Sequence, residues 1–165
     1  MLFRSHRLAA DAGSRLPGRA LAASEPTRAW IGGGVQAKVQ GEDAEGFARL
    51  FVEDGVFEIF VPGKTGASVR LESRTEIREW AAQRLQERSG RFTSRHYQSG
   101  ILFDEVTSDS ALTRTMLLVT HQGVAEAAPR PTVSGVYHDQ WRRTHAGWRL
   151  AHRAAHVDQD AGFSK

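Results

Sequence analysis

The sequence predicts an α+β fold in which short helices come first and a long, curved antiparallel sheet follows. Helical spacing of apolar residues and a helix-capping motif are confined to the part of the chain before Gly90. After Gly90, the residue pattern predicts four long strands separated by short turns. Strands joined in this way pair as an antiparallel meander, and the sheet has to bury one face against the helices.

Length and composition agree with one globular domain. The chain has 165 residues, of which 40% are hydrophobic and 25% are charged. It has no cysteine, which excludes disulfides, a thiol nucleophile and thiolate metal sites. No apolar run approaches the roughly 20 residues of a membrane span. We therefore expect a cytoplasmic protein without a membrane partner.

The net charge of +3 lies entirely in the first thirty residues. Residues 1–30 contain five arginines and two acidic residues, whereas residues 31–165 contain 17 basic and 17 acidic residues. This balanced body does not favour a nucleic-acid partner, which is recognised by a basic face. We interpret residues 1–26, which are rich in Arg, Ala and Ser, as a disordered or targeting-like N-terminal tail. The domain is expected to span residues 27–158, with a C-terminal tail over residues 159–165.

Two helices are predicted at the start of the domain. Thr27 caps a first helix that ends near Gln40. Asp43 begins a second, short helix, in which apolar residues through Phe51 recur at helical spacing. The turn signal Asp54-Gly55 follows this helix and ends it.

A strand and a third helix follow this turn. Residues 56–61 are rich in β-branched and aromatic side chains and predict a strand, with residues 69–71 as a short pairing strand. Ser73 and Glu76 form a capping box. They open an amphipathic helix that ends near Arg88.

Four long β-strands are predicted in the second half of the chain, over residues 92–106, 110–123, 131–143 and 147–158. The breaks between them are a polar turn at 107–109, an Ala- and Pro-rich segment at 125–131 and a tight turn at 145–147. The sheet that they form is expected to close around a pocket at its open end.

Six stretches carry a family resemblance: GEDAEGFARLF at 41–51, EDGVF at 53–57, RTEIREW at 74–80, SRHY at 94–97, GVYHD at 135–139 and GWRLAHR at 147–153. In this order and spacing, residues 27–158 resemble the SnoaL-like branch of the NTF2-like superfamily. That group includes polyketide cyclases, scytalone dehydratase, steroid isomerases and bile-acid dehydratases. The resemblance implies a cone in which a strongly curved antiparallel sheet wraps around three N-terminal helices and encloses a deep apolar cavity. It also implies a homodimer formed through the outer sheet face, and no cofactor.

The resemblance implies chemistry at His96. The SRHY context of His96 is similar to that of the catalytic histidine of scytalone dehydratase. An imidazole titrates near neutral pH, so it can remove a proton next to a carbonyl group or protonate a leaving hydroxyl. The alternative is a hydrogen-bonded cavity histidine that performs no chemistry.

The remaining histidines on strands are interpreted as solvent-facing or packed against the sheet: His121, His138, His152 and His156. His152 and His156 are four residues apart. This spacing brings ligands together on a helix but separates them by about 13 Å along a strand. We therefore predict no metal site.

Further cavity residues are implied by the resemblance. Tyr137 matches a position whose side chain points into the cavity of relatives, where a phenol can hold an enolate oxygen. Arg153 matches a pocket-lining position, where a guanidinium would pair with a substrate carboxylate or enolate. Trp30, Phe57 and Trp80 are candidates for the cavity wall. The alternatives are an aromatic packed in the sheet for Tyr137, a surface arginine for Arg153 and plain core for the other three.

Three positions depart from the family pattern. The Tyr and Asp that relatives place on the first helix fall at Val35 and Gln40 in this sequence, and a second acid/base position falls at Thr115. None of these side chains can shuttle a proton, so a His–Asp dyad is not transferred to this chain. Gln40 and Thr115 remain candidates for substrate binding.

The sequence therefore leads to a cofactor-independent enzyme, a lyase or isomerase, as its first functional hypothesis. The enzyme would cyclise, isomerise or dehydrate a hydrophobic carbonyl-bearing molecule of polyketide or steroid type by proton transfer. The second hypothesis is a non-catalytic small-ligand-binding or accessory subunit. A third is a structural partner of a larger chain, like the small subunit of ring-hydroxylating oxygenases.

Overall fold

The two described helices and six strands follow the α+β order that the residue pattern predicts. A computed structural model describes residues 43–162. Its elements are α1 (Ala44–Ala48), β1 (Phe51–Phe60), β2 (Val69–Leu71), α2 (Arg74–Arg88), β3 (Phe92–Val106), β4 (Ser110–Gly123), β5 (Arg130–Thr144) and β6 (Gly147–Val157). The predicted helix over residues 27–40 lies outside the described residues. No helix within residues 43–162 is long and apolar enough to cross a membrane.

The six strands form one sheet in the order β2-β1-β6-β5-β4-β3. Strands β3 to β6 are the predicted antiparallel meander, since each pairs with the next strand along the chain. The prediction of a wholly antiparallel sheet is wrong at one place, because β1 runs parallel to β6. The short-turn rule concerns consecutive strands only. A long connection such as the one between β1 and β6 also permits parallel pairing.

The start of β1 differs from the prediction. Asp43 caps α1 as expected, and its side chain accepts a hydrogen bond from the Gly46 amide at 2.8 Å. The helix ends at Ala48 rather than continuing through Phe51. The cause is tertiary, because the Leu150 amide donates to the Leu50 carbonyl at 2.8 Å. Pairing with β6 therefore overrides the helical spacing of the apolar residues in this segment.

Two glycines allow the sheet to curve. Gly100 has a φ of +64° and lies where the β3–β4 register shifts, which is a bulge in a conformation that glycine adopts without strain. At Gly135, a Cβ atom would collide with the His156 carbonyl of the neighbouring strand. Glycine thus permits a close approach of β5 and β6.

Helix α2 is held on the concave face of this sheet. The Ser73 side chain accepts a hydrogen bond from the Glu76 amide, which confirms the predicted cap. Arg74 donates to the Phe51 carbonyl from Nη2 at 2.7 Å and from Nε at 3.1 Å. Ile77 is fully buried in the core between α2 and the sheet. These contacts leave the last turns of α2 above the open end of the concave face.

Candidate functional site

A cavity of about 1010 Å³ lies between α2 and the concave face of the sheet. Its walls are mainly apolar and include Phe57, Ile59, Trp80, Leu117, Val119 and Val133. Polar side chains gather near the end of α2 and the β4–β5 connection, including Arg88, Arg91, Gln122 and Glu126. An apolar chamber with a few polar groups is the usual form of a small-molecule site.

Four of the residues that the sequence places at the cavity line it: Phe57, Trp80, His96 and Tyr137. Thr115 and Arg153 are buried on the same face of the sheet but are not among the lining residues. Trp30 and Gln40 lie outside the described residues.

His96 and Tyr137 both line the cavity but are not hydrogen-bonded to each other. Across the sheet, β4 pairs His96 with Val119 and Tyr137 with Thr115. The four-residue offset between these two β4 positions corresponds to roughly 13 Å along the strand. The imidazole and the phenol are thus suited to contact different parts of one ligand.

The His96 imidazole is neutral at pH 7. Its Nδ1 atom is buried and has no hydrogen-bond partner among the described residues. Burial, followed by the charges of Arg88, His121 and Arg153, lowers the pKa of His96 to about 4. A neutral imidazole has one nitrogen that can accept a proton or a hydrogen bond, so this residue can act as a base.

Tyr137 stays protonated at neutral pH. Burial raises the pKa of its phenol, and the nearby Asp139 carboxylate acts in the same direction, although Arg153 opposes them. The Arg153 guanidinium lies 4.0 Å from the centroid of the Tyr137 ring. This cation–π contact orients the ring, and the phenol remains a hydrogen-bond donor to the cavity.

Arg153 and Asp139 form an ion pair beneath Tyr137, which we call the floor pair. Arg153 donates to Asp139 through Nε and Nη2, both at 2.7 Å. The two residues are only 1% and 2% exposed. Although burial alone would lower the pKa of Arg153, Asp139 outweighs burial and raises it. The predicted surface alternative for Arg153 is therefore wrong, and its guanidinium faces a protein carboxylate rather than open cavity.

Sequence reasoning did not single out Arg88 and Ser94 as cavity residues, and it interpreted His121 as solvent-facing or packed against the sheet, whereas all three line the cavity. We call these residues, together with the neighbouring His96, the polar corner. Ser94 pairs with His121 across β3 and β4, and His96 is two residues farther along the same face of β3. Diagonal neighbours of this kind are about 7–8 Å apart.

The polar corner is only partly satisfied by protein groups. The buried Ser94 hydroxyl has no hydrogen-bond partner among the described residues. Burial, and after it the charges of Arg88 and Arg130, lowers the pKa of His121. The His121 ring packs against Phe92, with ring centroids 4.3 Å apart.

The alternation of side chains along β3 and β4 could have predicted that the residues of the polar corner lie on one face. Ser94 has the same parity as His96 on β3, and His121 has the same parity as Thr115 on β4. Side chains two residues apart face the same side of a strand. Arg88 follows Trp80, Ala81 and Leu85 at helical spacing, so it continues the stripe that α2 turns toward the sheet.

The remaining strand histidines lie on the outer face of the sheet. His152 is hydrogen-bonded to Glu58 at 2.7 Å. His156 stacks on Phe60 and is close to His138, with ring centroids 4.7 and 4.8 Å apart. This placement agrees with the predicted packing role of these three histidines.

Comparisons with known proteins identify the family. The model of the SnoaL-like domain matches residues 37–154. ActVI-ORFA from Streptomyces coelicolor is 24% identical, with a TM-score of 0.64 over 80% of this chain and 90% of that chain. A provisionally assigned scytalone dehydratase from Novosphingobium aromaticivorans is 19% identical, with a TM-score of 0.62 over 81% of this chain and 83% of that chain.

A third solved structure comes from a multisubunit protein. It is the beta subunit of a provisionally assigned aromatic-ring-hydroxylating dioxygenase from Novosphingobium aromaticivorans. It is 16% identical, with a TM-score of 0.67 over 84% of this chain and 94% of that chain. A search of curated proteins found no match. At these identities the solved structures establish the fold, which is NTF2-like, and the matched domain establishes that the chain belongs to the SnoaL-like family.

Proposed function

We propose that the protein is a cofactor-independent enzyme that moves a proton on a hydrophobic carbonyl-bearing small molecule. The observation that carries this proposal is His96, a neutral imidazole with a buried, unpartnered Nδ1 in the wall of a largely apolar cavity. Such a group is expensive to bury without a partner, and a substrate would supply one. Cyclisation, isomerisation and dehydration all begin or end with the proton transfer that this group can perform.

In the proposed reaction, the imidazole removes a proton from the carbon next to the carbonyl group. The C–H bond breaks, an N–H bond forms, and the electron pair moves to the carbonyl oxygen as an enolate. The Tyr137 phenol lies four residues farther along the sheet and donates a hydrogen bond to a different oxygen of the same substrate, which fixes the substrate in the cavity. The imidazolium then returns the proton to another carbon or to a leaving hydroxyl group, which closes the cycle without an oxidant or reductant.

Arg153 has a positioning role in this proposal. Its guanidinium contacts the Tyr137 ring and is held in place by Asp139. The charge of Arg153 also lowers the pKa of His96. It therefore acts on the substrate through Tyr137 and His96.

The test is turnover of a panel of polyketide-like and steroid-like ketones by the wild type, His96→Ala and His138→Asn. We expect His96→Ala to lower kcat by about 100-fold or more, since a general base contributes that much. His138→Asn is the matched control, because it changes a histidine on the outer face of the sheet. Unchanged turnover in His96→Ala would remove this residue from catalysis and overturn the proposal.

A non-catalytic ligand-binding or accessory subunit is the second candidate. It is favoured by Thr115, which occupies the second acid/base position of relatives yet is buried and is not among the cavity-lining residues. Native mass spectrometry after gentle purification separates the two candidates. A retained ligand that incubation leaves chemically unchanged favours the binding protein, whereas release of an altered product favours the enzyme.

We also propose that the protein is a homodimer formed through the outer face of β3 and β4. Five large apolar side chains are exposed there: Tyr97, Leu102, Leu112, Met116 and Leu118. A single sheet face of this kind can pair with its own copy around a two-fold axis. Light scattering after gel filtration measures the oligomeric state. Met116→Glu should give a monomer. Val124→Glu changes an exposed residue outside the strands and should leave the dimer intact. A monomeric wild type would contradict the proposal.

A further inference from the structure

We propose that the polar corner binds a carboxylate of the substrate, so that the substrate class is a hydrophobic carbonyl compound that also carries an acid group. This inference rests on the proposed function in one respect, namely that the cavity accepts a small molecule. It assigns roles to Arg88, Ser94 and His121, which the proton-transfer chemistry leaves unused.

The corner is rich in donors. Arg88 has only donor hydrogens, and the Ser94 hydroxyl and the two imidazoles can each donate as well. A carboxylate accepts several hydrogen bonds at once and favours charged donors. A neutral carbonyl group would satisfy fewer of these donors.

The electrostatic environment also favours an anion. The charge of Arg88 lowers the pKa of both His96 and His121, so it acts on both imidazoles from the end of α2. Arg88 lines the cavity, and its Nε atom donates to the Arg84 carbonyl at 3.0 Å, which helps to hold the guanidinium at the end of α2. Glu126 also lines the cavity, where it is paired with Arg130 at 3.1 Å and accepts a hydrogen bond from the Gly123 amide at 2.8 Å.

Binding of a carboxylate would prepare the base for its reaction. An anion beside His96 stabilises the imidazolium form and raises the pKa of His96 from its low value toward neutrality. A base works best when its pKa is close to the working pH. The acid group would therefore select the substrate and activate His96 at the same time.

The test compares two probes of nearly equal shape, naphthalene-2-carboxylate and naphthalene-2-carboxamide, by isothermal titration calorimetry. We expect the wild type to bind the carboxylate about tenfold more tightly than the amide, as a hydrogen-bonded charge predicts. Arg88→Gln should remove that preference and leave amide binding within about twofold of the wild type. Arg78→Gln, on the same helix but outside the cavity lining, should keep it.

Two outcomes overturn the inference. One is equal affinity of the wild type for the two probes. The other is an equal loss of affinity for both probes in Arg88→Gln. Ser94→Ala is a second test, and it leaves helix α2 unchanged. This variant should weaken the binding of the carboxylate more than the binding of the amide. The result is separable from the test of the proposed function. If ketone turnover depends on His96 but the protein shows no carboxylate preference, the inference about the acid group is wrong and the proposed enzymatic function stands. If the carboxylate preference is present without turnover, the polar corner is a binding site for acids and the proposed enzymatic function is wrong.

Discussion

The floor pair and the polar corner lie on the same concave face, but they differ in whether their buried polar atoms have hydrogen-bond partners. Arg153 donates two hydrogen bonds of 2.7 Å to Asp139. In the corner, Ser94 Oγ and His96 Nδ1 are buried without a partner among the described residues. Buried polar groups in folded proteins are nearly always partnered, so the corner is the exception that needs an explanation.

The difference separates a structural role from a binding role. A buried charge whose counter-ion is supplied by the protein gains less from a ligand than an unpartnered polar group does. An unsatisfied donor or acceptor at a cavity wall gains free energy when a ligand supplies the missing bond. Burial and charge alone would have ranked Arg153 above Ser94 as a site residue, whereas the hydrogen-bond partners reverse that order.

The largest expected effect comes from breaking the floor pair. Asp139→Asn leaves the Arg153 charge buried without its counter-ion, which should lower the free energy of unfolding by about 3–5 kcal/mol. Urea denaturation at pH 7 measures this change. The double variant Arg153→Met/Asp139→Leu removes both charges and should recover most of the loss. A single variant that is as stable as the wild type would mean that the pair is not a structural element.

A second prediction concerns acid stability and the corner. The folded pKa of His96 is about 4, below the value of about 6.5 that an unfolded chain has. Between these two values the unfolded state binds more protons, so the free energy of unfolding falls as the pH is lowered from 7 to 4. Linkage gives a loss of about 3 kcal/mol from this residue.

His96→Asn isolates this contribution. Other groups add a loss in both proteins. Burial lowers the pKa of His121 and of His156 from 6.5, so both add a loss of stability in the same pH range. Burial raises the pKa of Glu58, but hydrogen bonds from His152 and Arg70 outweigh it and lower this pKa from 4.5, so the contribution of Glu58 is lost at more acidic pH. The measurement is therefore the difference between the wild type and His96→Asn in urea unfolding at pH 7 and at pH 4. Parallel pH profiles for the two proteins would contradict a neutral, buried His96.

The smallest expected effects come from two single hydroxyl groups. Thr113 accepts a hydrogen bond of 2.9 Å from the Trp141 indole in the buried core, so Thr113→Val should destabilise the fold by about 1–2 kcal/mol. Ser94→Ala removes a hydroxyl that makes no such bond and should change stability by less than about 0.5 kcal/mol. Thermal and urea unfolding of both variants give the comparison. A larger cost for Ser94→Ala would show that the corner is structural.

Much of the fold was predictable because its signals are local. The capping box at Ser73, the alternation along β3 to β6 and the turns between these strands depend on neighbours in the sequence. The placement of His96 and Tyr137 on one cavity followed from the family resemblance together with strand alternation. Such patterns survive tertiary context because each is set by the backbone geometry of its own element.

Only the tertiary structure decided the features that depend on distant partners. Phe51 begins a strand because it pairs with Leu150, about a hundred residues away. Arg153 faces Asp139 because β5 and β6 are adjacent in register. By itself, the sequence determined most of the described helices and strands and the family to which the chain belongs. Which polar groups are satisfied inside the cavity depended on strand order and register, because a hydrogen bond needs its partner within about 3 Å.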